Sequence, residues 1–354
     1  MMRSFVYDLL PSRVVFGPGT IDRLAGEVKA LGAKRALVLS TPGQRKLADE
    51  VSRRLGVATA GIYAEAVMHV PVETARAARE TARRVAADCI VAIGGGSTIG
   101  LAKAVAVDTK LPIIAVPTTY SGSEMTPIYG VTEGGLKRTA RDAKAQPRVV
   151  IYDPNLTVGL PAQVSGPSGM NAIAHCVEAL YAENANPITS LMAAEGLRAL
   201  ARTLPIVVRE PENIEARGDA LYGAWLAGAA LGAVSMGLHH KLCHTLGGSF
   251  NLPHAEVHTV ILPHATAYNR AAVPEAMRII AAALGAKDAA QGLYDLAKAI
   301  GAPLALGDIG MPADGLDRAA QLATENPYYN PRPVEQEAVR RLLDDAYHGR
   351  RPAA

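Results

Sequence analysis

The chain has 354 residues, 49% apolar and 19% charged, a balance that excludes disorder. At roughly 150 residues per domain this length implies two domains. Lys and Arg (36) against Asp and Glu (33) leave a net charge of +3, too small and too dispersed for a nucleic-acid-binding surface. Three cysteines, Cys89, Cys176 and Cys243, show no CxxC spacing and make no disulfide framework, which points to a reducing cytoplasm.

Along the chain, Met1–Gly19 is interrupted by Asp8, Pro11 and Arg13 and has no signal-peptide core. The short apolar runs Arg35–Ser40, Cys89–Ile93, Leu111–Val116 and Arg148–Tyr152 read as buried strands. Helical periodicity fills Arg45–Leu55 and Glu73–Ala87 between them, so a parallel sheet with helices on both faces is predicted. Ile128–Thr139, centred on Gly134-Gly135, reads as an inserted hairpin. After Asp153-Pro154 only helices are predicted: Met170–Ala182, Ile188–Thr203, Ala216–Leu238, Pro274–Leu284, Ala289–Ile300, Leu316–Thr324 and Val334–Tyr347. Leu221–Leu238 carries no charge, but Gly223, Gly228, Gly232, Gly237 and five alanines suit close packing in a buried helix better than a membrane span. The predicted division is an α/β domain over 1–158 and an all-helical domain over 159–354.

Gly94, Gly95, Gly96, Ser97 and Thr98 follow a predicted strand and open a helix that runs to about Val107. Glycines let backbone N–H groups approach a phosphate, and the helix N-terminus adds its positive end. The same glycines would also serve a tight strand-to-helix turn with no ligand. A second polar loop, with Thr118, Thr119, Ser121 and Ser123, follows the next strand and so lies near the same carboxyl edge of the sheet. Ligands of open α/β sheets bind at that edge, and two such loops point to a dinucleotide. Ser40-Thr41 ends the first predicted strand where an acidic residue would grip the adenosine ribose. Without that charge, NADPH is accepted as well as NADH.

Six of nine histidines fall between His239 and His264. His240 and His244 are four apart and share one helix face, as do Asn171 and His175, and His254 follows a glycine-rich bend. Imidazoles converging from separate segments suit a divalent metal or acid–base chemistry, while any one of them alone would be a hydrogen-bonded core residue. His239, His258 and His264 read as structural or as residues that support the site from behind. The residue facing His175 is the neutral Asn171, so no anion offsets a metal charge, and Glu178, three residues on, could only act behind the imidazoles.

The stretches GGGSTIGLAKA, PTTYSGSEMTPIYG, SGMNAIAHCVEALYA, LHHKLCHTLGG, LPHAEVH and NPYYNPRP resemble the iron-containing (group III) alcohol dehydrogenase family along essentially the whole chain. The resemblance implies a Rossmann-like dinucleotide-binding α/β domain, an all-α catalytic domain and a homodimer. It implies that Asn171, His175, His240 and His254 occupy the family's metal position, with Asn for its usual Asp, and that His244 stands near the substrate. That departure resembles the branch that reduces maleylacetate to 3-oxoadipate in the breakdown of aromatic compounds such as resorcinol. The implied cofactor is NADH or NADPH with no tightly bound metal. The implied substrate is a small dicarboxylate, for which Arg332 is the one arginine singled out. The alternative is a metal-dependent alcohol or polyol dehydrogenase of the same family.

Overall fold

The computed structural model describes residues 5, 7, 12–134, 136–326 and 328–353, so Asp8, Pro11 and Gly135 of the readings above lie outside the described residues. Two compact units are distinguished, one spanning 9–160 and the other built mainly from 161 onward.

In the first unit the strands are β1 (Arg13–Phe16), β2 (Ala36–Leu39), β3 (Thr59–Tyr63), β4 (Cys89–Gly94) and β5 (Ile113–Pro117). They are followed by a hairpin, β6 (Ile128–Glu133) and β7 (Leu136–Arg141), and by β8 (Val149–Tyr152). Six of them form one parallel sheet in the order β1-β8-β5-β4-β2-β3. The strands between the edges are buried on both faces, which is why they read as unbroken apolar runs. Val38, Val91, Ile93, Ile114 and Val116 face one core with α1 (Leu24–Ala30) and α2 (Arg45–Leu55). Leu37, Leu39, Ile90, Ala92 and Ile113 face the other with α3 (Val72–Arg84) and α4 (Gly96–Thr109). The two edge strands, β1 and β3, go unpredicted. Each has a neighbour on one side only, and β3 is half-buried throughout.

The β6–β7 hairpin is latched to the segment before α3. Thr132 donates its N–H to Val70 O at 3.0 Å and its hydroxyl to His69 O at 2.8 Å. His69 and Val70 both hold left-handed backbone, at φ 63° and 49°.

The second unit contains α5 (Ala162–Tyr181), α6 (Pro187–Arg209), α7 (Ile214–Gly232), α8 (Leu238–Phe250), α9 (His254–Asn269), α10 (Pro274–Leu284), α11 (Ala289–Ala299), α12 (Leu316–Thr324) and α13 (Gln336–Tyr347). Three sequence readings are corrected here. The α5 helix starts well before Met170, because its small residues pack tightly: a Cβ at Gly169 would lie 2.2 Å from Leu204 Cδ2. The α7 helix stops at Gly232 instead of Leu238, and the Gly237 N–H is taken by the Glu178 carboxylate at 3.0 Å. The α8 helix is marked only by the spacing of His240 and His244, and α9 is absent from the predicted set, since nearly every residue of α9 from Val257 onward is buried and no polar stripe marks a period.

The uncharged stretch serves helix crossing. A Cβ at Gly223 would lie 2.7 Å from Leu200 Cγ, and one at Gly196 would lie 3.1 Å from Gly223 O. Among the described residues no helix is long and apolar enough to cross a membrane. Cys89, Cys176 and Cys243 are buried and free.

Candidate active site

At the end of β4 the chain turns through Gly94, at φ 150°, and enters α4 with Gly95 as an N-cap that offers no side-chain oxygen. The first N–H groups of α4 are therefore open to an anion. Side chains are excluded by geometry: a Cβ on Gly94 would lie 2.5 Å from Thr98 Oγ1, and one on Gly95 would lie 2.8 Å from Thr119 Cγ2. Pairing of Gly94 with Pro117 brings the loop after β5 alongside, and Thr118 N–H donates to Gly94 O at 3.1 Å.

Thr119 thus stands over Gly95, and Ser121 lies 3.9 Å from where a Cβ of Gly96 would be. The buried Thr98 and Thr119 hydroxyls have no hydrogen-bond partner among the described residues. Buried hydroxyls are rarely left so, and together with the cradle they fit a bound phosphate. Ser97 is half-buried at the mouth of the turn, and Ser123 lies beside the buried Lys103 at 3.3 Å. Ser40 is fully buried and donates to Thr41 O, and the half-buried Thr41 donates its own hydroxyl to Gln44 Oε1 at 3.4 Å. Gln44 was missed: its amide donates to Thr118 Oγ1 at 2.9 Å and spans the loops on either side of the glycine turn. A glutamine five residues past a strand carries no periodic signal that could have marked it.

In the helical unit α5, α8 and α9 gather the imidazoles. His175 stacks on His240 with ring centres 5.2 Å apart, and His244 lies 6.2 Å from His240, one turn along α8. His254, the first residue of α9, has its ring 4.5 Å from that of His258. His258 shares the centre of the cluster with His240, 5.1 Å from it and 6.3 Å from His175, although the sequence marked it only as structural or as a residue behind the site. All four predicted catalytic histidines therefore fall in one cluster, with Asn171 buried on the same helix as His175. His244 and His254 are half-buried and the others are buried. Arg332 stacks over Tyr268 at 4.1 Å and donates to its carbonyl, so its cation is already engaged.

One carboxylate organises this cluster. Glu178 is 1% exposed and accepts the N–H groups of Gly237 and His239 at the start of α8. It also meets His240 Nδ1 at 2.6 Å. Burial alone would raise its pKa, but the His240 hydrogen bond and the nearby imidazoles hold it at about 2. An ionised carboxylate at Nδ1 accepts a hydrogen bond from that nitrogen, which leaves Nε2 as the ring nitrogen of His240 not engaged with Glu178. Desolvation, reinforced by the neighbouring imidazoles, keeps His175 and His258 well below the usual histidine range and His239 at about 3. His175 Nδ1, His240 Nε2 and His258 Nε2 have no hydrogen-bond partner among the described residues. Open nitrogens in a buried cluster are compatible with a polar ligand.

The donor set at Asn171, His175, His240 and His254 contains no anion, and the nearest carboxylate is spent behind His240. Among the described residues, the one set of three metal-ligating groups within 4.8 Å of one another is His239, Cys243 and His258. That set is a packed core: His239 and His258 bond each other at 2.9 Å, and burial pushes the Cys243 thiol well up.

Residues 11–154 match the iron-containing alcohol dehydrogenase family, and residues 166–347 match the C-terminal part of that family. Over 99% of its length the chain is 57% identical to a maleylacetate reductase of Burkholderia cepacia, all of which is covered. It is 57% identical to one from Sphingobium indicum, with 99% of each chain covered. The crystal structure of maleylacetate reductase from Agrobacterium tumefaciens shares 53% identity and superposes with a TM-score of 0.95, covering 99% of this chain and 100% of the other. The chain belongs to the iron-containing alcohol dehydrogenase family.

Proposed function

We propose that this chain reduces maleylacetate to 3-oxoadipate with NADH or NADPH, a step in the catabolism of aromatic compounds, and that it does so without a tightly bound metal. The observation that carries this reading is the neutral Asn171 beside a histidine cluster whose one carboxylate, Glu178, is committed to His240. Full-length relatives of that activity, at more than half identity, support it.

The chemistry agrees with the side chains. Bound NAD(P)H supplies the hydride, which goes to the alkene carbon beta to the ketone. The resulting enolate needs a hydrogen-bond donor at its oxygen and a proton at the carbon alpha to the ketone. A neutral imidazole N–H at the open ring nitrogen of buried His175 or His258 can donate to the oxygen. The half-buried His244 and His254 are the ones with solvent access, and they supply the proton. An alcohol dehydrogenase must instead polarise a carbonyl, for which a metal is the stronger aid. Three imidazoles and an amide leave a divalent charge uncompensated, so any ion there is held weakly.

The glycine turn and the hydroxyl loop hold the dinucleotide: Gly94, Gly95, Gly96, Ser97 and Thr98 at the phosphates, with Thr118, Thr119, Ser121 and Ser123 beside them. The enzyme works in the cytoplasm as a homodimer. The deciding experiment follows NADH absorbance in the near ultraviolet with freshly made maleylacetate. Rapid oxidation is expected, against little with simple aldehydes. Turnover of aldehydes only, and only after metal is added, would assign the chain to metal-dependent alcohol chemistry.

A further inference from the structure

We propose that Lys103 is a positioning residue for the cofactor: its buried amine ties the loop after β5 to the helix that opens at the glycine turn. This rests on the reading of those two loops as the dinucleotide site. Lys103 lies in α4, about two turns below Gly96, and is 0% exposed. Its Nζ donates to Ser123 O at 2.5 Å, Thr126 Oγ1 at 2.9 Å and Ile128 O at 2.9 Å, with Ser123 Oγ at 3.3 Å. Every acceptor belongs to the single segment 123–128. Glu124, also 0% exposed, takes no hydrogen bond from Lys103 and is held by Tyr152 OH at 2.8 Å and Ser121 Oγ at 3.5 Å.

A buried amine is an expensive way to fill a core. Burial pulls the Lys103 pKa down to about 7, against the opposing pull of Glu124. An apolar side chain of similar volume would fill the space with no charge to desolvate. What such a side chain lacks is direction. Three hydrogens fix three acceptors, and they fix them relative to the helix whose N-terminus faces the phosphates. The same loop places Thr119 over Gly95 and Ser121 near Gly96. Freed from Lys103, the loop keeps its connection to β5 but loses its register against α4. Dinucleotide binding then pays the ordering entropy that the native loop has already met.

The test is NADH affinity by fluorescence titration in Lys103→Met and Thr126→Val, with Gly95→Asp as reference and thermal unfolding measured for each. Lys103→Met is expected to raise the Kd for NADH at least tenfold, with the KM for maleylacetate within about twofold of wild type. Thr126→Val, which removes one acceptor, is expected to raise the Kd two- to fivefold. Wild-type NADH affinity in both variants, while Gly95→Asp fails to bind, overturns the role of Lys103 and leaves the cofactor site standing. Unchanged affinity in all three variants overturns the cofactor site itself. Equal loss for NADH and maleylacetate marks a loosened fold and also overturns the proposal. Should Lys103→Met not fold, Thr126→Val decides alone, and an unchanged Kd overturns the tether.

Discussion

The two polar sites of this chain are built on opposite plans. The glycine turn works by omission: Gly94 and Gly95 leave room that a single Cβ would fill, and the groups offered to a ligand are backbone N–H and small hydroxyls. The histidine cluster works by accumulation, with large imidazoles from α5, α8 and α9 crowded around one buried carboxylate. A site made of backbone is damaged by adding atoms, and a site made of side chains is damaged by removing them. The first should also separate binding from stability, because the glycines of its turn meet Thr98, Gln44 and Thr119 and no charged side chain. The second should not, because Glu178 depends on its partners.

The largest effects should come from deleting imidazoles. His244→Ala should lower turnover by about 10² or more with little change in melting temperature, since His244 is half-buried. His240→Ala should lower turnover as much and also strand the buried Glu178 carboxylate, destabilising the fold by about 3 kcal/mol. Kinetics paired with thermal unfolding check both; equal melting temperatures for the two variants would break the contrast drawn above. In the glycine turn, Gly95→Asp places a like charge at the phosphate site and a side chain against Thr119. NADH binding should weaken about a hundredfold in a protein of native helicity, with only the small loss of stability that comes from displacing Thr119. A drop in stability as large as the drop in affinity would show that the turn is structural.

Glu178→Gln sharpens the comparison further. The amide keeps the shape but removes the charge that holds the His240 proton on Nδ1, so turnover should fall about tenfold to a hundredfold. The acid stability profile gives an independent readout. The carboxyl sits at about 2 in the fold against an ordinary 4.5. It therefore contributes stability above pH 4.5, and that contribution is lost as the pH falls from 4.5 towards 2. Acid unfolding of Glu178→Gln should be shallower in that window, and a profile identical to wild type would remove the charge from the account. The smallest effect concerns metal. EDTA-treated enzyme should keep its activity on maleylacetate, while Asn171→Asp should gain affinity for zinc, measured by calorimetry. Loss of wild-type activity on chelation, restored by zinc or iron, would reverse the assignment.

What could be read from the sequence follows the same division. Central strands announce themselves because both faces are apolar, so β2, β4, β5 and β8 stood out, whereas the edge strands β1 and β3 had half the signal. The glycine turn and the hydroxyl loop after β5 are each contiguous in sequence, and each was legible as a unit, down to Gly95 in the first and Thr119 in the second. The histidines were legible as a cluster through spacing, but their order of importance was not. His258 joins His240 at the centre only when α8 and α9 are folded against each other, because its neighbours come from three helices. Glu178 was placed behind the imidazoles by its spacing from His175, yet its hold on the start of α8 depends on the chain leaving α7 at Gly232. Lys103 and Gln44 gave no signal: a lysine in an alanine-rich helix looks solvated until its acceptors are brought to it.

The left-handed pair before α3 has a consequence for how this chain can vary. A β-branched residue at φ 49° is intrinsically unfavourable, and Val70 holds that conformation under the hydrogen bond from Thr132. Its Cγ2 lies 3.0 Å from where a Cβ of Gly100 would be, on the helix that carries the glycine turn. Position 100 can thus acquire a side chain only if the Val70 methyl gives way by a few tenths of an ångström. The two sites form a linked pair thirty residues apart, and substitution at either restricts what the other can become.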